Sequence, residues 1–176
     1  MSANTSQTFE SVAKCFRPQI IDLEASGFGP DSYPIEVGVV LKNGLRFSRL
    51  IRPMPDWTHW DPRAEALHGI SQAKLQHHGH HPHEVACELN SLLAGETVFS
   101  DAWVLDKPWL DTLFNRLAVE RKFFISPIES IVSEQQLELW LPTKKALTPQ
   151  MGSRLHRALD DAVLIQETFV HTRLNN

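Results

Sequence analysis

The sequence predicts an α/β domain in which a mixed five-stranded sheet, three antiparallel strands followed by parallel ones, is flanked by helices. Three observations carry this. The Ile-rich run "QIIDLE" (19–24) reads as a short buried strand. In "IEVGVVLKNGLRFSRLI" (35–51), Asn43-Gly44 sits between two strand-like runs, the strongest short-range hairpin signal. Beyond it, strand-like and helical segments alternate, which suits helices laid on a mixed sheet. A chain of 176 residues with 42% apolar and 22% charged residues fits one domain with a full core. Residues 1–16 read as a peripheral or poorly ordered N-terminal segment.

Each element follows from local chemistry. The first strand is expected at the centre, with the hairpin beside it. Residues 52–62, "RPMPDWTHWDP", hold three prolines and two tryptophans and read as loop. A helical turn at Arg63–Leu67 leads into "HGIS" (68–71). A second loop, "HHGHHPH" (77–83), precedes a helix over Pro82–Leu93. There Val85, Leu89, Leu92 and Leu93 share a face, and Pro82 suits a helix start. "ETVFSD" (96–101) is expected as the fourth strand. A helix over Lys107–Val119 stripes Trp109, Leu110, Leu113, Phe114 and Leu117. "IESIV" (128–132) is expected as the fifth strand, Glu134–Leu141 as a helix, 142–153 as loop and Leu155–Val170 as the last helix.

Composition excludes several classes. The two cysteines, Cys15 and Cys87, form no CxxC pair, which argues against a disulfide framework or a thiolate zinc site and fits the cytoplasm. The N-terminus "MSANTSQTFESVAK" has no apolar signal region. No run approaches the ~20 apolar residues of a membrane span. Net charge is −4, not the basic balance of a simple nucleic-acid binder. There is no G-x-S-x-G or phosphate-loop motif. Five of the nine histidines lie in "HHGHHPH", where a Zn²⁺ or Ni²⁺ site and a plain loop are both open readings.

The chemistry concentrates in "IIDLEASG" (20–27). In a strand, residues two apart share a face, so Asp22 and Glu24 project together. Two neighbouring, partly buried carboxylates repel each other and resist desolvation. A divalent cation relieves both costs, and all-oxygen sites suit Mg²⁺ or Mn²⁺; solvent-exposed edge residues are the alternative. "SDAWVLDKPWL" (100–110) carries Asp106 at a helix start, where it could also serve as an N-cap. "LHRALDDA" (155–162) brings His156, Asp160 and Asp161 to the last helix, where first-turn acids also suit the helix dipole. On a helical wheel Asp160 falls opposite the apolar stripe, Asp161 on its flank, and His156 on the other flank. His156 is therefore expected on a lip ahead of the regular helix.

Together, D-x-E on a first strand, an Asp after a later strand and H-x-x-x-x-D on a late helix resemble the DEDDh 3′–5′ exonucleases. This ribonuclease-H-like family includes polymerase proofreading subunits, ribonuclease T and oligoribonuclease. "DLEASG", "HGIS", "SDAWVLDKPWL" and "HRALDDA" stand in family order across Gln19–Phe169. The resemblance implies Asp22, Glu24, Asp106 and Asp161 as ligands of two divalent cations, Mg²⁺ or Mn²⁺, with His156 as general base. It implies a single-stranded substrate attacked at its 3′ end and release of nucleoside 5′-monophosphates. The spacing from Asp101 to Asp106 matches the oligoribonuclease-like form and tilts the substrate toward RNA. Where many relatives carry an amide, this chain has Asp101; Ser26 replaces the usual Thr and keeps the hydroxyl.

Without the four ligand acids, 17 acidic residues balance 17 basic ones, so net charge no longer opposes an anionic substrate. Candidate substrate contacts are Ser26, Gly27, Phe28, His68, Trp103 and Arg154. Trp57 and Trp60 are further stacking candidates, and Arg157, Lys144 and Lys145 further phosphate candidates, against core packing and solvated surface respectively. A homodimer is the expected assembly. The rival reading is a catalytically weak nucleic-acid-binding or adaptor module on the same fold.

Overall fold

The computed structural model describes residues 16–151 and 156–174. Arg154, Leu155, Cys15 and nearly all of the segment 1–16 lie outside the described residues. Five strands, β1 (Ile20–Ala25), β2 (Pro34–Val40), β3 (Arg46–Leu50), β4 (Thr97–Ser100) and β5 (Phe124–Pro127), form one sheet in the order β3-β2-β1-β4-β5. β1 pairs antiparallel with β2, and β2 with β3. β4 is parallel to both β1 and β5. The mixed sheet is therefore the expected one, with β1 at its centre.

Alternation along β1 divides its side chains between two cores. Ile21, Leu23 and Ala25 pack with Val37, Val39 and two helices, α3 (Pro82–Leu93) and α4 (Trp103–Arg116), through Val85, Leu89, Leu110 and Leu113. Ile20 faces the opposite side, where α6 (Ala158–Leu174) contributes Ala162, Ile165 and Phe169. By period two, Asp22 and Glu24 face α6 as well. Two short helices, α1 (Pro62–His68) and α2 (Gln72–His78), and the longer α5 (Glu134–Leu147) complete the fold.

Several elements differ from the sequence reading. The hairpin loop needs only Gly44 in the left-handed region (φ 82°); Asn43 is not there, although its Oδ1 accepts from the Leu45 N–H. The Gly44 N–H donates to the Leu41 carbonyl, and Leu41 N–H to that of Leu45, which closes a longer loop than a two-residue turn. The helix α2 was not expected; Ser71 caps it by accepting from the Lys74 N–H. Helix α4 begins at Trp103 rather than Lys107, so Asp106 lies inside its first turn and Ala102 occupies the cap. The fifth strand is Phe124–Pro127, whereas Ile128–Ile131 forms a 3₁₀ turn. Proline is admissible in β5 because that strand is the sheet edge. Helix α5 continues through Pro142 to Leu147, started by a capping box between Ser133 and Gln136. Lys144 and Lys145 are therefore in a helix, not a loop.

Candidate active site

Three carboxylates reach one point from two elements. Ligand oxygens of Asp22, Glu24 and Asp161 all lie within 4.8 Å of one another. β2 explains how α6 comes so close. Gly38 lies directly opposite Asp22 in the β1–β2 register. A Cβ at Gly38 would stand 2.2 Å from the Leu159 nitrogen, so the first turn of α6 rests on bare backbone there. Two residue pairs along, Glu36 opposes Glu24. Glu36 is buried and accepts from the Ala158 N–H (3.0 Å) and from the Arg157 guanidinium (Nε to Oε2 3.0 Å, Nη2 to Oε1 2.5 Å). It therefore clamps the start of α6 against the sheet, and Arg157, a phosphate candidate in the sequence, is committed to this pair.

His156 immediately precedes that clamp. It is exposed, with φ at 64°, and its backbone N–H donates to Asp161 Oδ2 (2.9 Å). It stands ahead of the regular helix, so helical geometry does not separate it from Asp161. Asp161 and His156 share a cleft of about 380 Å³ with Asp22, Asp101, Lys144, Lys145 and Thr148. A larger cleft of about 630 Å³ lies between loop 52–58 and α2, and none of the four acids lines it.

Asp106 sits behind this group, fully enclosed. Its Oδ1 accepts from the Leu23 N–H (3.2 Å), between Asp22 and Glu24 in the chain, and its Oδ2 from the Ser100 hydroxyl. Its oxygens are not part of the 4.8 Å group, but its charge is felt by both Asp22 and Glu24.

Burial is the first cause of an upward pKa at all four acids. Asp22 is pushed well above the usual carboxylate range by burial and then by the charges of Asp106, Asp161, Glu24 and Asp101. Glu24 is pushed up to about 8 by burial, Asp161, Glu36 and Asp106, with Arg157 opposing. Asp106 is pushed up to about 7 by burial, moderated by its hydrogen bonds from Ser100 and Leu23. Asp161 is raised by burial against the opposing pull of His156 and Lys144. Among the described residues, every ion pair of a Lys or Arg is with another acid, and none is with these four. An all-oxygen cluster that repels itself, with no ion pair to offset the repulsion, fits hard divalent cations.

The remaining candidates take different places. Phe28 is 58% exposed beside Trp109, with ring centroids 6.4 Å apart. Ser26 is buried; its hydroxyl accepts from the Tyr33 N–H (3.1 Å) and contacts His59 Nδ1. Gly27 lets loop 59–61 approach, since a Cβ there would meet His59 at 2.6 Å. His68 is buried at the end of α1, and its Nδ1 accepts from the Ile70 N–H, so it presents no face to a strand in solvent. Trp103 packs on the core and donates to the Ile125 carbonyl. Trp57 stacks on buried Tyr33, and Trp60 donates to Glu65. The histidines at 77–83 do not converge: His81 caps α3, and His83 lies 3.7 Å from the Cys87 sulfur.

Sequence reasoning passed over Glu36, Gly38 and Ser100. A lone charge and a lone glycine inside the apolar run "PIEVGVV" were the available signals, because glycine in a strand often marks a close backbone approach.

No protein-family model matches the chain, and no curated protein matches its sequence significantly. Solved structures do match. The chain is similar to Escherichia coli exonuclease I in complex with a dA16 oligonucleotide, at 15% identity and TM-score 0.67, over 92% of this chain and 42% of that one. It is similar to the zinc-ion-bound form of the E. coli exonuclease I–single-stranded DNA complex, at 16% identity and TM-score 0.68, over 91% and 42%. It is also similar to a moderately thermophilic exonuclease I from Methylocaldum szegediense, at 16% identity and TM-score 0.58, over 89% and 39%. The chain spans about two-fifths of the length of these neighbours. At this identity the shared property is the fold, which is ribonuclease-H-like. Among the described residues no helix is long and apolar enough to cross a membrane.

Proposed function

We propose that this single domain is a metal-dependent 3′–5′ exonuclease that removes nucleoside 5′-monophosphates from single-stranded nucleic acid. The observation that carries the reading is the meeting of Asp22, Glu24 and Asp161 oxygens within 4.8 Å without a basic partner. Asp22, Glu24 and Asp161, with Asp106 behind them, would hold two Mg²⁺ or Mn²⁺ ions. When bound, such ions neutralise the carboxylates and stabilise the attacking and leaving oxygens of an in-line displacement at phosphorus.

The chain's own residues do the rest. His156 stands on the cleft wall, where its imidazole can take the proton of an attacking water. The water oxygen bonds to the terminal phosphorus, the 3′ oxygen of the preceding nucleotide leaves with the bonding electron pair, and it takes up a proton from solvent to give the shortened strand its 3′-hydroxyl. Asp161 holds the His156 backbone, which fixes the base beside the carboxylates. Asp106, locked by Ser100 and Leu23, sets the spacing of Asp22 and Glu24. Phe28, exposed just past β1, is the residue placed to stack on a base.

Two of the similar E. coli exonuclease I structures hold single-stranded DNA, which supports a single-stranded partner; the Asp101–Asp106 spacing favours short RNA. The test uses 5′-labelled RNA and DNA strands with Mn²⁺. A ladder shortening from the 3′ end, abolished in Asp22→Asn, supports the reading. Tight binding without cleavage supports the adaptor module instead. Sedimentation of the same sample tests the homodimer.

A further inference from the structure

The cleft holds one ion pair that the proposed chemistry does not use. Lys144, in the last turn of α5, meets Asp101, which follows β4. The pair is half-sheltered, with 30% of the lysine and 16% of the aspartate side chain exposed. Both residues line the same cleft as Asp22, His156 and Asp161. Lys144 is also close enough to Asp161 to pull its pKa down, and Asp101 close enough to Asp22 and Asp161 to push theirs up. The cleft therefore has an acidic wall that needs cations and a facing wall whose nearest ammonium already has a partner.

Resting on the exonuclease reading, we infer that Lys144 is the phosphate-gripping residue of this site and that Asp101 competes with the strand for it. A phosphodiester entering the cleft brings a negative charge to a place where Lys144 is bound to another anion. To grip the phosphate, the ammonium must give up or share its contact with Asp101. An ammonium suits such an exchange, because it is a point charge with three rotatable donors and no fixed fork. Asp101 also repels the phosphate directly. The pair thus weakens the hold on the strand, which a site that must let its substrate advance one nucleotide per cleavage requires. Lys145 lines the same wall, but no acid holds it among the ion pairs of the described residues.

The test measures KM and kcat for a short 5′-labelled strand with Mn²⁺, over a series of salt concentrations. Lys144→Gln should raise KM about tenfold, as expected for a lost charged hydrogen bond, and lower the steepness of log KM against log salt by about 0.7. Lys144→Arg, which restores the charge, should recover most of the loss. Asp101→Asn keeps an acceptor of the same shape and should lower KM by about threefold. In the Lys144→Gln background that gain should fall below twofold, because there is no ammonium left to release. A gain that persists undiminished means Asp101 acts on the strand or the cations directly, and overturns the competition. KM values unmoved by either substitution, in a wild type that does shorten the strand, overturn this inference alone. A wild type that neither binds nor shortens the strand overturns the exonuclease reading beneath it.

Discussion

Glu24 and Glu36 face each other across β1 and β2, in one register pair, and both point toward α6. Their surroundings have opposite signs. Glu36 receives the Arg157 guanidinium and the Ala158 N–H, so the protein neutralises it from within. Glu24 receives neither hydrogen bond; burial, Asp161, Glu36 and Asp106 push its pKa up to about 8, with Arg157 offsetting them only in part. Two identical side chains in one sheet row thus divide the work. One closes the fold over the site, and the other is left with a charge that the chain itself balances only in part. Charge supplied internally builds structure, and charge withheld builds a binding site.

The comparison breaks hardest at Glu24. Glu24→Gln should reduce turnover by at least 10³-fold, about 4 kcal/mol at 1.36 kcal/mol per decade. It should not lower the melting temperature without metal, because it removes a charge that burial and its neighbours oppose. Parallel nuclease assays and thermal melts of one preparation check both halves. Glu36→Gln should do the reverse in stability. It leaves Arg157 half-buried beside a neutral amide, a loss of about 3 kcal/mol for a broken buried pair. Chemical denaturation with unchanged slope would read this as a shift in midpoint.

Metal binding sharpens the contrast. Mn²⁺ at a hundred times its Kd should stabilise the wild type by about 2.7 kcal/mol. The gain should disappear in Glu24→Gln and in Asp161→Asn, and survive in weakened form in Glu36→Gln. A gain of full size in Glu24→Gln would remove Glu24 from the ligand set.

This division was half legible in the sequence. Asp22 and Glu24 are two apart on an Ile-rich strand, and the wheel of the last helix separates Asp161 from Asp160; both are local patterns. The clamp is not local, since Glu36 and Arg157 are 121 residues apart. No window contains both, so Arg157 read as a free cation for phosphate. The burial of His68 was not legible either. The motif "HGIS" is visible, and in the fold it joins two helices, with Gly69 at φ 66° ending α1 and Ser71 capping α2. Proline rules misled where context overrode them: Pro142 lies inside α5, and Pro127 ends an edge strand.

Per pH unit, the smallest expected effect is the pH dependence of the metal-free protein, and its sign reports how far Glu24 is neutralised within the chain. Glu24 takes up a proton more readily folded than unfolded, with its value moving from 4.5 to about 8. Between those limits the native state binds more protons than the unfolded chain, so stability falls as pH rises. Below pH 4.5 Glu24 is protonated in both states and has no effect; above about 8 its cost is complete. Asp106, raised from 3.8 to about 7, adds in the same direction over the lower part of that window. The slope from Glu24 stays below the 1.36 kcal/mol per pH unit of one whole proton. Denaturation midpoints measured from pH 5 to 8 in chelator should therefore decline, and the decline should flatten in Glu24→Gln. Saturating Mn²⁺ should reverse it, because the cation binds the deprotonated oxygens and becomes more stabilising as pH rises. A metal-free profile that climbs toward pH 8 would mean that Glu24, like Glu36, finds its counter-charge within the chain.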